Sequence, residues 1–362
     1  MLGYLKSVVR RRMDINFSLN SQQKSFAIID NCIECGKCIK NCEMLKTYTT
    51  SPKVLFNQSM DNRIPFSCQL CDHCLSVCPK DIDLKSAFLS MRQDAQQQMK
   101  IKTPAVDFHQ KSSFSSFFSS RVKSTKKVFF PGCSLSAHDP EMVMRLYNYI
   151  KDDDMSIWTS CCGNPTYTLG KSNEFKHQLS KLKQVFKSNS ITEVIVACQN
   201  CYKMFKEHTN LKVTSVFEIL NDLPLPKTNI NITKSLVLHD PCPTRKYDII
   251  HDSVRQLLDK LSIEYSEYEY NRAFTQCCGS GAMVGVTNKG IALKQAKQRA
   301  LQSESDAIIT YCQECVETLG QEKETYHLLD MLFNDGIKKN TNHTLKKWSN
   351  RRLIKLKIDR IK

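Results

Sequence analysis

The chain of 362 residues contains no apolar run that approaches the roughly 18 residues of a membrane span. Its start, MLGYLKSVVRRRM, places the charges after a short apolar stretch, which reverses the order found in a secretory signal. Acidic residues are too few to balance the basic ones, and the formal net charge is +16. The missing apolar run argues against a membrane-spanning protein, and the missing signal-peptide order argues against secretion. We therefore expect a cytoplasmic protein.

Cysteine, in contrast, is abundant. The 18 cysteines amount to about 5% of the residues, which is below the roughly 8% or more of short disulfide-stabilised scaffolds. In a cytosolic chain, spaced cysteines are more often metal ligands or redox groups than disulfide partners. The cysteines are therefore interpreted first as ligands.

The first eight cysteines form two runs with the same spacing, C-x2-C-x2-C-x3-C. The runs are Cys32, Cys35, Cys38 and Cys42, and then Cys68, Cys71, Cys74 and Cys78. Three closely spaced thiolates can bind three corners of a [4Fe–4S] cube, whereas zinc sites typically use two separated C-x-x-C pairs. The pattern predicts two [4Fe–4S] clusters.

The assignment of ligands to these two clusters follows a rule of two-cluster ferredoxins, in which the fourth cysteine of each run ligates the other cluster. One predicted cluster is held by Cys32, Cys35, Cys38 and Cys78, and the other by Cys68, Cys71, Cys74 and Cys42. This exchange of ligands brings the clusters close together, which suits electron transfer.

The other ten cysteines form two sets of five. The sets are Cys133, Cys161, Cys162, Cys198 and Cys201, and then Cys242, Cys277, Cys278, Cys312 and Cys315. Their surroundings also repeat, since TSCCG matches TQCCG and EVIVACQNC matches AIITYCQEC. Short apolar strands alternating with amphipathic helices indicate parallel α/β units, with the cysteines at the carboxyl ends of the strands, where such sheets bind ligands.

We therefore expect a mixed fold, with an α-helical ferredoxin-type two-cluster domain followed by two α/β modules with parallel sheets. The predicted divisions are a ferredoxin-type domain at 1–98, a Ser-rich basic linker at 99–127, modules at 128–230 and 231–336, and a basic amphipathic tail at 337–362.

The pattern Cys…Cys-Cys-Gly…Cys-x-x-Cys, present twice after two ferredoxin-type motifs, resembles the CCG domain pair of heterodisulfide reductase. It is also similar to the iron–sulfur subunits of glycolate oxidase and of anaerobic glycerol-3-phosphate dehydrogenase, and the resemblance covers about residues 30 to 335. It implies that five thiolates of a module can bind a further [4Fe–4S] centre, non-cubane in heterodisulfide reductase. One or two such centres are expected, with zinc as an alternative in one module. The set from Cys242 to Cys315 is the expected catalytic site, and the set from Cys133 to Cys201 is expected to bind a cofactor.

Residues beside the ligands each have two interpretations. His239 and Asp240 could tune or protonate a bound substrate, or they could cap a turn and orient the loop. Arg245 could attract an anion or remain solvated. The stretch CGSGAM lacks the third glycine of a dinucleotide fingerprint, so no flavin is expected in this chain.

The basic tail carries Ile354, Ile358 and Ile361 at helical spacing, with Leu345 and Trp348 as a similar pair. This pattern is typical of an interfacial helix on anionic lipid or of a helix that docks on a partner subunit, and a solvated tail is the alternative. No recognised nucleic-acid-binding module accompanies the charge, so no nucleic acid partner is expected.

These features predict an iron–sulfur oxidoreductase subunit, located in the cytoplasm or peripherally on the inner face of the cell membrane. The resemblance implies a partner flavoprotein, an FAD-linked dehydrogenase or reductase, and a disulfide or a quinone as the terminal acceptor. The competing hypothesis is a non-catalytic electron-transfer or scaffold subunit whose modules hold structural metal. Thiol–disulfide exchange through the C-x-x-C pairs is a third hypothesis.

Overall fold

The structure is a computed structural model that describes residues 15–58, 60–226, 232–334 and 344–361. Its N-terminal region is helical, as predicted. The helices are α1 (Leu19–Asn31), α2 (Glu43–Tyr48), α3 (Pro52–Phe56), α4 (His73–Ser76), α5 (Leu84–Gln97) and α6 (Pro104–Ser113). The last of these lies within the segment expected to be a linker.

The first α/β module is built on a four-stranded parallel sheet with the order β2-β1-β3-β4. Its elements are β1 (Lys127–Phe130), α7 (Cys133–His138), α8 (Pro140–Ile150), β2 (Met155–Ile157), α9 (Asn164–Thr168), α10 (Ser172–Ser188), β3 (Glu193–Val196), α11 (Gln199–His208), β4 (Lys212–Ser215) and α12 (Val216–Asp222). The helix α8 begins sharply because Asp139 accepts hydrogen bonds from the first-turn amides and Pro140 fits that turn.

The second module repeats this plan with the strand order β6-β5-β7-β8, again all parallel. Its elements are β5 (Leu236–His239), α13 (Asp248–Lys260), β6 (Ser266–Glu267), α14 (Val284–Thr287), α15 (Lys289–Ala300), β7 (Ala307–Thr310), α16 (Gln313–Leu319), β8 (Thr325–His327) and α17 (Leu328–Phe333). The predicted fold class is confirmed.

One hydrophobic core runs through both modules. It includes Phe129 and Val194 from the first sheet and Leu238 and Ile309 from the second. These strands are buried on both faces, which explains their continuous apolar sequences. The shared core fixes the two sheets relative to each other, so that the cysteines that follow their strands can face a common space.

The C-terminal helix α18 (Thr344–Asp359) packs on α7 and α8. Ile354 and Ile358 are 0% and 5% exposed and belong to the shared core. Asn350 donates to the carbonyl oxygens of Ala137 and His138. The isoleucine face predicted for the tail is therefore covered by the protein itself and is not free for lipid or for a partner. Residues 337–343 and 362 of the tail lie outside the described residues.

Arg92 of α5 connects the ferredoxin-type region to both modules. It is completely buried. Its guanidinium donates to the carbonyl oxygens of Pro65 and Cys68, of Thr168 in the first module and of Ala282 in the second. Because one rigid planar group joins three regions, their relative positions are closely specified.

Candidate metal centres

The first ferredoxin-type group of thiols lies near the surface. Cys38 faces Cys32, Cys35 and Cys78, and burial together with these neighbouring thiols raises its pKa to about 12. Cys35 is exposed, whereas Cys32 is buried. The structure thus brings together the four thiols expected to hold one cluster.

The second ferredoxin-type group lies deeper in the molecule. Cys74 faces Cys68, Cys71 and Cys42, and burial and these thiols raise the pKa of Cys74 well above its usual value. The four cysteines line a cavity of about 30 Å³. The fourth cysteine of each run therefore lies with the other run, in the grouping that the ligand-exchange rule predicts.

Within each module, the five thiols form one continuous chain of contacts with the same order. The chains run Cys133–Cys161–Cys162–Cys201–Cys198 and Cys242–Cys277–Cys278–Cys315–Cys312. The second cysteine of each adjacent pair occupies the middle. Contacts with Cys161 and Cys201 lower the pKa of Cys162 to about 6, and contacts with Cys277 and Cys315 lower the pKa of Cys278. Adjacent cysteines can thus serve different positions of one centre.

Glycine allows the tight turn after each pair. Gly163 and Gly279 have φ values of +83° and +99°, a region that other residues rarely adopt. Their amides donate to the Sγ atoms of Cys161 over 3.5 Å and of Cys277 over 3.3 Å. The turn therefore folds the backbone onto the first thiol of the pair.

We expect Gly279→Ala to lower the iron content of the second module. A Cβ atom there would lie 2.4 Å from the carbonyl oxygen of Ala292, in addition to the unfavourable φ of +99°. The combined strain is at least about 2 kcal/mol. Gly290→Ala is the matched control, since its nearest neighbour, Asn288 Oδ1, is 3.8 Å away. Iron analysis of both purified variants checks the prediction, and equal iron in both would contradict it.

The deeper ferredoxin-type group is in contact with the second module. The thiol of Cys277 interacts with that of Cys71 and lowers the pKa of Cys71 to about 6. Arg245 holds this junction, because it donates to the carbonyl oxygens of Cys71 and Thr275. Arg245 is only 7% exposed. It is therefore neither the anion site nor the solvated side chain considered from the sequence, but a residue that joins the ferredoxin-type region to the second module.

A cavity of about 450 Å³ lies between the two modules. Nine of the ten module cysteines line it: Cys133, Cys161, Cys162, Cys198, Cys201, Cys242, Cys278, Cys312 and Cys315. The tenth, Cys277, instead lines the small cavity of the deeper ferredoxin-type group. The two five-thiol sets thus share one space, and among the module thiols Cys277 is the one that lies with the deeper ferredoxin-type group.

The opposite wall of the 450 Å³ cavity comes from α6 and α18. Arg351 lies there, 6% exposed, where it contacts His109 Nε2 at 3.1 Å and donates to Ser113 Oγ over 2.7 Å. Lys347 forms an ion pair with Glu317 beside it. Sequence reasoning missed these residues, because the charge of a basic tail says nothing about the surface on which the tail packs.

Asp240 is a structural residue. Burial would raise its pKa, but hydrogen bonds from Arg255, at 2.9 and 3.1 Å, outweigh burial and lower the pKa to about 2. Tyr311 donates to the same carboxylate over 2.8 Å. Neither Asp240 nor His239 lines the large cavity, so their position does not support a role in protonating a substrate there.

The donor sets fit iron–sulfur centres. All 18 cysteines lie in the described part of the chain, and all have free thiols. They stand in groups of four or five sulfur atoms, and sulfur-rich sets of this size suit iron–sulfur clusters better than a single tetrahedral ion. One nitrogen-bearing side chain, that of His239, also lies near these thiols. Its potential ligand atom and the Sγ atoms of Cys278 and Cys315 lie within 4.8 Å of one another.

Among the described residues, no helix combines the length and the apolar character that a bilayer span requires.

Comparison with known proteins agrees with this architecture. Residues 127–206 and 236–320 match the family model "Cysteine-rich domain", and residues 14–82 match "4Fe-4S dicluster domain". An uncharacterized iron–sulfur protein of Methanocaldococcus jannaschii is 21% identical, over 83% of this chain and 68% of the relative. One subunit of the fumarate reductase (CoM/CoB) of Methanothermobacter marburgensis is 24% identical, over 84% and 72%. One subunit of the dihydromethanophenazine:CoB–CoM heterodisulfide reductase of Methanosarcina mazei is 21% identical, over 85% and 92%.

The fold and the thiol groups define an iron–sulfur protein with a ferredoxin-type dicluster domain and a duplicated cysteine-rich module. The chain belongs to the CCG-domain iron–sulfur proteins, and its relatives include subunits of heterodisulfide reductase and of fumarate reductase.

Proposed function

We propose that this chain is the iron–sulfur subunit of a redox enzyme and passes electrons between a partner flavoprotein and a terminal acceptor. The route comprises two ferredoxin-type clusters and one or two centres in the CCG modules. The contact between Cys71 and Cys277 carries this proposal. It joins an expected ligand of one ferredoxin-type cluster directly to an expected ligand of the second-module centre, so that no other side chain separates the two cofactors.

The partner would dock at the group around Cys38, because Cys35 in that group is exposed to solvent. Two relatives are named as subunits of reductases, which supports a partner for this chain as well. The resemblance to FAD-linked systems suggests a dehydrogenase or reductase with bound FAD. Electrons would then cross from the group around Cys38 to the deeper group and on to Cys277.

The cavity between the modules is the proposed substrate site. When bound, [4Fe–4S] centres supply single electrons and, at an iron with an open position, a site for a sulfur atom. The volume of about 450 Å³ is in the range of small-molecule pockets. Arg351 and Glu314 supply a cationic group and a half-buried carboxyl on its wall. We propose a disulfide as the substrate, because it would meet thiol-held centres on both sides.

The catalytic assignment follows from this arrangement. The second set of thiols both contacts the ferredoxin-type region through Cys277 and faces the cavity through Cys278. We therefore propose Cys242, Cys277, Cys278, Cys312 and Cys315 as the catalytic centre, and Cys133, Cys161, Cys162, Cys198 and Cys201 as the ligands of a second cofactor.

A quinone is the alternative acceptor and would require contact with a membrane. Because Ile354 and Ile358 of α18 are buried in the core, such contact would need another surface, and this favours the disulfide. We propose a cytoplasmic location, since a protein with this many free thiols requires a reducing compartment.

The second candidate is a non-catalytic electron-transfer or scaffold subunit with structural metal in a CCG module. The grouping of His239, Cys278 and Cys315 favours it, since three such ligands and one more cysteine would satisfy zinc.

Metal analysis after anaerobic purification tests the proposal. The ferredoxin-type motifs alone should give about eight iron atoms per chain, and filled CCG modules should raise this to about twelve or sixteen, with matching sulfide. We expect more than eight, and we expect dithionite-reduced protein to be reoxidised by a small disulfide faster than by a water-soluble quinone. Iron near eight with stoichiometric zinc would contradict the proposal and support the scaffold function.

A further inference from the structure

His239 of the second module has an apolar counterpart in the first. When the two halves are aligned on Cys133 and Cys242, Phe130 stands opposite His239. Both side chains are fully buried at the end of a central strand. The duplicated fold therefore places a ring at both positions, but of these two rings only that of His239 has nitrogen atoms to offer to the nearby thiols.

Arg299 determines which of these nitrogens carries the proton. Its Nε atom donates to His239 Nδ1 over 3.2 Å. Arginine has donors only, so Nδ1 must be unprotonated and the ring proton lies on Nε2. Two of the other four donors of Arg299 go to Gln302 Oε1 and to the carbonyl oxygen of Tyr270, both at 3.0 Å, and the guanidinium lies 3.6 Å from the ring centre of Tyr268. The arginine is thus held in one orientation.

The Nε2 atom of His239, which carries the proton, belongs to a ring that lies beside two sulfur atoms of the second module. It is buried and has no hydrogen-bond partner among the described protein atoms, while His239 is grouped with the Sγ atoms of Cys278 and Cys315 within 4.8 Å. A histidine that ligates a metal usually donates its other nitrogen to an acceptor, and Arg299 cannot accept. The geometry favours His239 as a hydrogen-bond donor to sulfur over His239 as a metal ligand.

We propose that, once the second-module centre is bound, His239, oriented by Arg299, donates an N–H···S hydrogen bond to Cys278 and raises the reduction potential of that centre above that of the first. Hydrogen bonds to the sulfur ligands of a cluster stabilise its more negative, reduced form. The positive charge of Arg299, which has no carboxylate partner in the described part of the chain, acts in the same direction. The inference rests on the proposed function only in that the second module holds an iron–sulfur centre.

The first module has neither a histidine nor an arginine at the corresponding positions, and its nearest counterpart is the neutral side-chain amide of Gln110, 3.6 Å from Cys161 Sγ. Phe130 offers no donor, and Val185 stands where Arg299 does when the halves are aligned on Cys198 and Cys312. An electron that arrives from Cys71 at the second-module centre therefore remains there in preference to the first-module centre.

Replacement of His239 by the first module's residue tests the inference. His239→Phe should lower the midpoint potential of the second-module centre in an anaerobic redox titration followed by electron paramagnetic resonance. His239→Gln retains an N–H donor and should restore most of the potential. The matched control is His251→Gln, which removes a buried histidine of the same module that contacts Thr244 at 3.1 Å and no cysteine, and which should leave the potential unchanged.

An unchanged potential in His239→Phe with the centre present would overturn the inference. So would a strong nitrogen hyperfine coupling in the unmodified protein, because it would show His239 bound to iron. If His239→Phe lost its centre, Arg299→Gln would decide: a lowered potential supports the inference and an unchanged one overturns it. Absence of iron and sulfide from the second module of the unmodified protein would instead refute the proposed function, and the inference would fail with it. Metal analysis of the unmodified protein distinguishes this case from a failure of the inference alone.

Discussion

Cys278→Ser is expected to remove the centre of the second module and to lower electron transfer to the terminal acceptor by more than about 100-fold, since changes outside the ligand shell can already cost roughly 10- to 100-fold. Cys278 is the middle member of its five-thiol chain and contacts both Cys277 and Cys315. It also lines the cavity between the modules. A serine hydroxyl is a poor ligand for iron. Loss of the Cys278 thiol therefore separates the two ends of the five-thiol chain.

The measurement for Cys278→Ser combines iron analysis with spectroscopy. Iron should fall by about four atoms per chain, and the signals of the ferredoxin-type clusters should persist. Cys71→Ser is the matched variant on the other side of the junction. It should slow electron delivery from an external donor and leave the CCG signals intact. Loss of every cluster signal in both variants would show that the centres fold as one unit and that this division of roles is wrong.

Much of the thiol arrangement could be predicted because its determinants are local. Cysteines three or four residues apart must share one loop, so the spacing itself indicates a multi-iron cofactor. The duplicated stretches EVIVACQNC and AIITYCQEC also indicated the fold class, because buried strands that alternate with helices have few other solutions.

The junctions between regions could not be predicted, because they join residues that are distant in the sequence. Nothing in the sequence around Arg245 indicates that its guanidinium reaches the carbonyl oxygen of Cys71. The spacing of Ile354 and Ile358 predicted an apolar helix face, but periodicity does not identify what covers that face. The difference between FFPGC and LHDPC was a usable signal for His239, since a repeat that changes a buried residue from apolar to polar marks a position where the modules differ.

Arg92→Met is expected to cause the largest loss of stability, roughly 3–5 kcal/mol. It leaves four acceptors without their shared donor: the carbonyl oxygens of Pro65, Cys68, Thr168 and Ala282. Arg92→Lys keeps the charge but lacks the planar array of donors, so it should fall between Met and the unmodified protein.

Thermal denaturation of the anaerobic protein at one scan rate measures this effect, and the midpoint of Arg92→Met should fall by roughly 5 °C or more. Arg63→Met is the control. The Arg63 side chain is 74% exposed and pairs with nearby Asp61, so its loss should cost less than about 1 kcal/mol. Equal midpoints for the two variants would mean that Arg92 is not needed to hold the three regions together. A large drop with retained iron would show that Arg92 positions the ferredoxin-type region against the modules without being needed to assemble the clusters.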